Sequence, residues 1–406
     1  MWTIQDFPAY RNLAICKNKG RFSCPLCGYG THSEWLKHSE KFSYRGHRKF
    51  LQENHPFRSK RSWFDGEEEH GNPSRIMNGT TIAEHLKDFE LYVRHTLDVM
   101  HIEKNVCESI YNTLLDVAGK SKDGLKACLD LQHMGIRSAL HPQEKGTRTY
   151  LPTTLHTLSK LEKELFFKRL FSLKVPDGYS SNIRNCVSIE QCKLMGLKSH
   201  DCHILMQQLL LVAIKGSMPM GPRDAIIRLC MFFNRICQRV LDRESIMALE
   251  NDVIETLFLL ERFFPPSFFD VMIHLVVHVG RETRLCGPIQ FRWMYTFERH
   301  MKSLKDYVKN RARPEGCIAE CYLADECVSF CNEFTDHSIE LKTKEGQNEE
   351  WSNDVPMHSS SCDETDLLKW LAYGPRKHAA SYTGYIINGQ RFHIHDIEKS
   401  TQNSGV

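Results

Sequence analysis

Long apolar runs are the first thing this sequence lacks. Its best candidates, ILMQQLLLVAI (204–214) and FFDVMIHLVVHV (268–279), are broken by polar residues. Both fall short of the roughly 18 apolar residues that a membrane-spanning helix needs. The opening MWTIQDFPAY has no basic stretch followed by an apolar core, so it does not read as a secretory signal. No membrane partner is expected. Net charge is also small, at +3, so the chain as a whole is not a polycation.

A nuclear or cytosolic setting follows from these absences. There the 16 cysteines read as reduced thiols, with metal binding favoured over a disulfide framework. With 406 residues, 41% hydrophobic and 25% charged, the chain is long enough for two or three units with sizeable cores. Fibrous and wholly disordered classes are excluded.

Five regions are expected. Residues 1–75 are loop-rich and carry CPLC with many histidines, which reads as a small metal-stabilised lobe. Residues 76–150 hold a helix over about 80–118, stopping at Gly119, and then a turn-rich connector. Residues 151–335 show apolar residues at three- and four-residue spacing in six stretches, the pattern of a helical bundle; Pro222 and Pro265-Pro266-Ser267 mark helix starts. Residues 336–365 are polar and read as a linker. In 366–406 two alternating runs flank Asn388-Gly389, a hairpin signal. The fold class is therefore mainly α, with a zinc-containing lobe before the bundle and a short hairpin-like tail after it.

The Cys24-x-x-Cys27 knuckle supplies half of a tetrahedral zinc site, so two further ligands are needed. Local candidates are His38 and His47, with His32 and His55 also in range. Distant candidates are His274 and His278, which at i and i+4 share one face of a helix. The residues alone leave this open. The cluster Cys317, Cys321, Cys327 and Cys331 reads as one face of a helix rather than an all-cysteine site. In LKSHDCH (197–203), Ser199 or Asp201 capping a helix explains the polar cluster.

Cations are unevenly placed. Between Lys41 and Trp63, Lys41, Arg45, Arg48, Lys49, Arg58, Lys60 and Arg61 face Glu53 alone, which suits a phosphate backbone. Further on, Lys302, Lys305 and Lys309 follow Glu298 at offsets that share a helical stripe.

The phrases CPLCGYGTHSEWLKHSEKFSYRGHRKF, LDVMHIEKNVCESIYNTLLDVAG, LKSHDCHILMQQLL, PPSFFDVMIHLVVHVGRE and RWMYTFERHMKSLKDYVKNRARPEGCIAE resemble plant CACTA (En/Spm-type) transposases and the helical domain that accompanies them. The resemblance runs from about Trp2 to at least Cys331. It implies a DNA transposase with an RNase H-like core interrupted by a helical insertion, in which three carboxylates hold two Mg2+ ions. It places the first two carboxylates upstream of the WTIxDFPAY phrase in which this chain begins, so they are expected to be missing here. Glu298 is then the expected third carboxylate, with Glu103 as alternative and Asp98 and His101 as an accessory pair. The related Transib and RAG recombinases pair a Cys-x-x-Cys with two histidines shortly before the final glutamate, which shifts the expected zinc ligands to Cys24, Cys27, His274 and His278.

The resulting expectation is a transposon-derived remnant that is non-catalytic, with structural Zn2+, Mg2+ only in an intact ancestor, sequence-independent DNA binding, self-association and a nuclear location, or cytosolic if merely a remnant. The alternative, expected if the gene product extends upstream, is an active cut-and-paste transposase that cleaves DNA and transfers strands.

Overall fold

The computed structural model describes residues 2–13, 16–17, 19–64, 66–74, 76, 94–146, 148–173, 182–341, 384–387 and 390–393. The fold is mainly helical, with a helical bundle at its centre. Contacts divide the chain into two compact units, Met1–Met301 and Lys302–Val406. Among the described residues no helix is long and apolar enough to cross a membrane.

The first unit opens with strand β1 (Trp2–Ile4) and helix α1 (Phe7–Leu13). The cysteine knuckle follows, then a two-stranded hairpin of β2 (Glu34–Leu36) and β3 (Lys41–Ser43). Strand β4 (Arg94–Thr96) pairs in parallel with β1, setting Thr3 opposite His95 and Ile4 opposite Thr96. Helix α2 (Val99–Leu114) leaves that strand at once. The single helix expected over 80–118 is thus a strand and a shorter helix, and residues 77–93 lie outside the described ones. The run Arg94-His95-Thr96-Leu97-Asp98 is too short for period to tell strand from helix.

Helix α3 (Leu125–His133) and hairpin β5 (Gln143–Lys145) and β6 (Arg148–Tyr150) make up the connector. The bundle proper holds α4 (Lys160–Ser172), hairpin β7 (Val187–Ser188) and β8 (Lys193–Leu194), α5 (Ser199–Ile204), α6 (Leu210–Ala213), α7 (Met220–Ile236), α8 (Arg243–Phe263) and α9 (Val271–Cys286). Side chains set the starts. Ser159 and Glu162 form a reciprocal capping box on α4, and Asp242 and Asp270 accept backbone N–H bonds at the first turns of α8 and α9. Pro265-Pro266 stops α8, since proline cannot donate the next ladder bond. Gly287, at φ 79°, ends α9 in a conformation that few side chains tolerate.

Helix α8 packs between α7 and α9, and α2 lies against α5 and α9. Phe233, Leu257, Leu260, Ile273 and Val276 are among the residues of that core with no exposed surface. Fully burying a side chain of this kind contributes about 1.5–3 kcal/mol. The N-terminal lobe is anchored on the bundle rather than free of it. Tyr44 N–H donates to the Phe269 carbonyl at 2.7 Å, the Ser43 hydroxyl to Pro266 at 2.7 Å, and Lys41 Nζ to Ser267 at 2.8 Å. Phe57 meets Phe258 of α8 with ring centroids 4.5 Å apart.

Helix α10 (Met294–Asp306) runs across the boundary between the units. The second unit continues with α11 (Pro314–Leu341) and an antiparallel hairpin of β9 (Gly384–Ile387) and β10 (Gln390–His393). Ile387 pairs with Gln390, so the connection is the two residues Asn388-Gly389, which themselves lie outside the described ones. Of the stretch expected as a linker, residues 336–341 are instead the last turns of α11, and residues 342–365 lie outside the described ones.

Candidate metal centre and its surroundings

The knuckle Cys24-Pro25-Leu26-Cys27-Gly28 turns tightly. Gly28 N–H donates to the Cys24 carbonyl at 2.9 Å, the Cys27 N–H approaches Cys24 Sγ at 3.4 Å, and Gly28 adopts φ 51°. Both thiols end up buried and point at one face of α9. On that face His274 and His278, one turn apart, aim their Nε2 atoms back. Cys27 Sγ lies 3.5 Å from His274 Nε2 and 3.2 Å from His278 Nε2, and the two nitrogens are 3.2 Å apart. The ligand atoms of all four residues lie within 4.8 Å of one another, the one such group of three or more found among the described residues.

Elementary geometry tests this set. A tetrahedral zinc with bonds of about 2.0–2.1 Å to nitrogen and about 2.3 Å to sulfur has edges of roughly 3.3 Å between nitrogens and roughly 3.6 Å between nitrogen and sulfur. The separations of 3.2, 3.2 and 3.5 Å fit within a few tenths of an ångström. Burial pushes the Cys24 thiol up from its usual pKa, with the Cys27 thiol beside it adding to the effect. A divalent cation reverses that preference, because it binds the thiolate. The four residues form a possible Cys2His2 metal-binding group, consistent with zinc.

The local histidines are used otherwise. His47 is buried on Glu261 of α8, its Nδ1 in a short contact with Oε1, while the same oxygen accepts the backbone N–H groups of Gly46 and His47. Burial opposes the charge of Glu261, but His47 outweighs it and holds the carboxyl below its ordinary range. The backbone N–H groups of His38 and Ser39 bind Asp130, the His32 ring stands 3.1 Å from Lys49 Nζ, and His55 faces Glu255 at 3.6 Å. None of the four joins the cysteines. The four cysteines of α11 likewise form no metal group among the described residues.

A second region gathers carboxylates. Asp6 follows β1 by two residues and Asp98 follows β4 by two, and each caps the helix after it. Asp6 Oδ1 accepts Ala9 N–H at 2.8 Å, and Asp98 Oδ1 accepts His101 N–H at 3.1 Å. The parallel register of the strands sets the two acids side by side at their carboxyl ends. Burial pushes Asp98 up to about 6, helped by the negative charges of Glu298 and Asp6, against the His101 N–H bond that lowers it. Sequence reading passed over Asp6. The repeated pattern of strand, one residue, aspartate, helix was the signal that could have found it. Glu298 is exposed on α10. These carboxylates are not drawn together as the cysteines and histidines are.

Glu103 is no loose acid. It is buried, taking His203 Nδ1 at 2.6 Å and Gln207 Nε2 at 2.9 Å, beside a π-helical turn at Leu205–Leu209. Trp293 lies edge-on to His203 at 5.1 Å, and the buried hydroxyl of Tyr295 finds no partner among the described residues. His101 stacks on Phe7 at 5.6 Å. In LKSHDCH the helix starts at Ser199, and Asp201 accepts the Lys198 N–H at 2.9 Å.

The basic run divides into two kinds. Arg48 and Arg58 are buried and hold the lobe together. Arg58 donates to the carbonyls of Leu51, Lys49, Glu69 and Gly71, and Arg48 to Glu67 while lying 4.1 Å over Phe64. The expectation that these two face a DNA backbone does not hold, since loop carbonyls rather than phosphates occupy their guanidinium groups. Arg45 pairs with Glu34 at 2.7 Å and Arg61 with Glu68 at 2.8 Å. Lys60 is exposed. Burial brings Lys41 down to about 8. Lys302 and Lys305 are exposed on α10, whereas the helix ends at Asp306 and Lys309 lies past it, off the expected stripe.

No curated protein and no solved structure matches this chain. Two family models do: residues 1–89 match Transposase family tnp2, and residues 236–350 match a Domain of unknown function (DUF4218). The first span holds Cys24 and Cys27 and the second holds His274, His278 and Glu298, so the metal group joins the two matched segments. Together the matches support a transposase-family, transposon-derived protein.

Proposed function

We propose that this chain is a zinc-tied, DNA-backbone-binding protein descended from CACTA (En/Spm-type) transposases, acting in the nucleus without cutting DNA itself. The convergence of Cys24 and Cys27 with His274 and His278, some 250 residues further along, carries the reading. Zinc closed by four protein ligands supplies folding energy rather than an open catalytic position. Here it would bind the lobe to α9 and hold the bundle shut against it. The exposed cations Lys60, Lys302, Lys305 and Lys309, with Lys49 on the lobe, are the groups left for phosphates, while Arg45 and Arg61 are held by Glu34 and Glu68. Binding of this kind is sequence-independent, with a dissociation constant on the order of 10⁻⁴ to 10⁻⁶ M at physiological salt. Metal content of the purified chain and titration of a mixed-sequence duplex at several salt concentrations test it. One zinc per chain and a steep salt slope are expected; a metal-free folded chain, or duplex binding indifferent to salt, overturns it.

One observation favours a second reading. Asp6, Asp98 and Glu298 share an electrostatic neighbourhood at the ends of two parallel strands, the kind of place where carboxylates of a DNA-cutting core hold divalent ions. Mg2+- or Mn2+-dependent nicking of DNA carrying CACTA-type ends, abolished by Glu298→Gln, would establish that reading and end the first.

A further inference from the structure

Two large rings stand out on the cysteine lobe. Tyr29 is 79% exposed and Trp35 is 54% exposed, although each is braced by a second ring. Phe22 meets Tyr29 at 5.6 Å and 70°, and Phe42 meets Trp35 at 4.9 Å and 66°, both edge-on. Edge contacts of this kind hold a ring in place while leaving its face open. The backbone beneath is fixed as well. Tyr29 sits in the single helical turn Gly28–Gly30 of the knuckle, whose Gly30 carbonyl takes the Ser74 hydroxyl. Trp35 lies on β2 directly opposite Phe42, and the Ser33 hydroxyl donates to the Arg21 carbonyl at 2.8 Å, tying β2 to the leg that carries Phe22.

Cations outnumber acids along this part of the chain. From residue 17 to residue 40 it carries Lys17, Lys19, Arg21 and Lys37, all exposed, against Glu34 and Glu40, and Glu34 is paired with Arg45. The Arg21 guanidinium lies 5.4 Å from the Phe22 ring. Single exposed apolar residues need no explanation. Two rigid aromatic faces six residues apart, set among cations, do. A protein partner would want few lysines at such a patch. A duplex keeps its bases stacked and offers these rings nothing beyond its phosphates. An unpaired strand offers both a base face for each ring and a phosphate for each cation.

We propose that the lobe is a stacking platform for single-stranded nucleic acid, with Tyr29 and Trp35 each taking a base and Arg21 and Lys37 the intervening phosphates. This rests on the phosphate-binding reading above and adds the strandedness of the partner. The test uses the full chain and a fluorescein-labelled oligo(dT) 20-mer, with a duplex of equal length beside it. Tyr29→Ala and Trp35→Ala should each weaken oligo(dT) binding roughly 5- to 150-fold, the range for loss of one base-to-ring stack, and leave duplex affinity unchanged. Tyr29→Phe and Trp35→Phe, which keep a ring, should stay within about threefold. The part of the fluorescence that Trp35→Phe removes should be quenched by oligo(dT) in the wild type, a readout that holds even if the alanine variants fold poorly. An unquenched Trp35, or alanine variants that bind oligo(dT) like the wild type, overturns the platform. Duplex binding without oligo(dT) binding sinks the platform alone; oligo(dT) binding without duplex binding supports it and sinks the duplex reading; binding to neither sinks both.

Discussion

The Cys24, Cys27, His274 and His278 group and the Asp6, Asp98 and Glu298 group differ most in what surrounds them. The first is buried on every side, between the knuckle and α9, and its ligand atoms converge to within 4.8 Å. The second has one buried member, Asp98, and two exposed ones, Asp6 and Glu298. Burial forces the thiols and imidazoles into one arrangement, because an uncompensated polar atom in the core is costly. Exposed carboxylates answer to water and need not converge. The comparison teaches that packing brings together two thiols and two imidazoles that could hold a metal ion, while any chemistry of the acids would need something to draw them together.

The largest expected effect breaks the first group. Apparent zinc-binding energies in small zinc domains are on the order of 10 kcal/mol, comparable to the whole stability of a typical domain. Cys24→Ser, and His274→Ala with His278→Ala, should therefore lose the metal and most of the soluble yield, read by elemental mass spectrometry and unfolding scans. His47→Ala should lose stability through Glu261 yet keep its zinc. If zinc content survives the double histidine change and falls instead with His38→Ala or His47→Ala, the long-range group is not the site.

Next in size is the contrast between cations held by carbonyls and cations held by water. Arg58→Ala leaves four loop carbonyls without their donor and should cost about 3 kcal/mol in denaturant unfolding, with duplex affinity of the folded protein unchanged. Lys60→Ala should do the reverse, leaving stability within about 0.5 kcal/mol. A neutral Arg58→Ala that instead weakens DNA binding would mean its guanidinium faces phosphate.

How much of this was legible beforehand depends on the physics each feature obeys. The bundle helices were readable because apolar period and caps such as Ser159 with Glu162 are local. The i, i+4 spacing of His274 and His278 was local too, but their closure on Cys24 and Cys27 came from a family resemblance, since no spacing rule spans some 250 residues. Strand β4 and the role of Asp6 were missed because a three-residue strand has no period to read and its partner lies far along the chain. Arg48 and Arg58 looked like a basic patch because sequence cannot show that a loop folds back on a guanidinium.

Asp98 offers a smaller, pH-dependent test. Its carboxyl sits at about 6 in the folded chain, above the roughly 4 of an unfolded aspartate. The folded state then binds the proton more tightly, so stability falls as pH rises from about 4 to about 6 and stays lower above that. Asp98→Asn keeps an N-capping side chain and removes the buried charge. It should gain about 1–3 kcal/mol at pH 7.5 and nothing at pH 4, measured by urea unfolding at both. Equal effects at the two values would mean that Asp98 is not electrostatically strained. Addition of Mg2+ that erases the gain would show the acids being drawn together after all.

The smallest effect concerns the lysines after Glu298. Each phosphate contact contributes about −0.9 to the slope of log affinity against log salt on duplex DNA. Lys302 and Lys305 are carried on α10 and exposed, so a backbone running along the helix would meet both. Lys309 lies past the helix end at Asp306, and its distance from such a backbone is not set by helical register. Lys302→Glu and Lys305→Glu should therefore each flatten the slope by about one unit, and Lys309→Glu by clearly less. None should move the unfolding midpoint appreciably, because water rather than protein surrounds these side chains. Equal slope changes at all three positions would favour a diffuse cationic field over a contact along α10, and no change at any of them would leave the lobe cations as the whole of the DNA-binding surface.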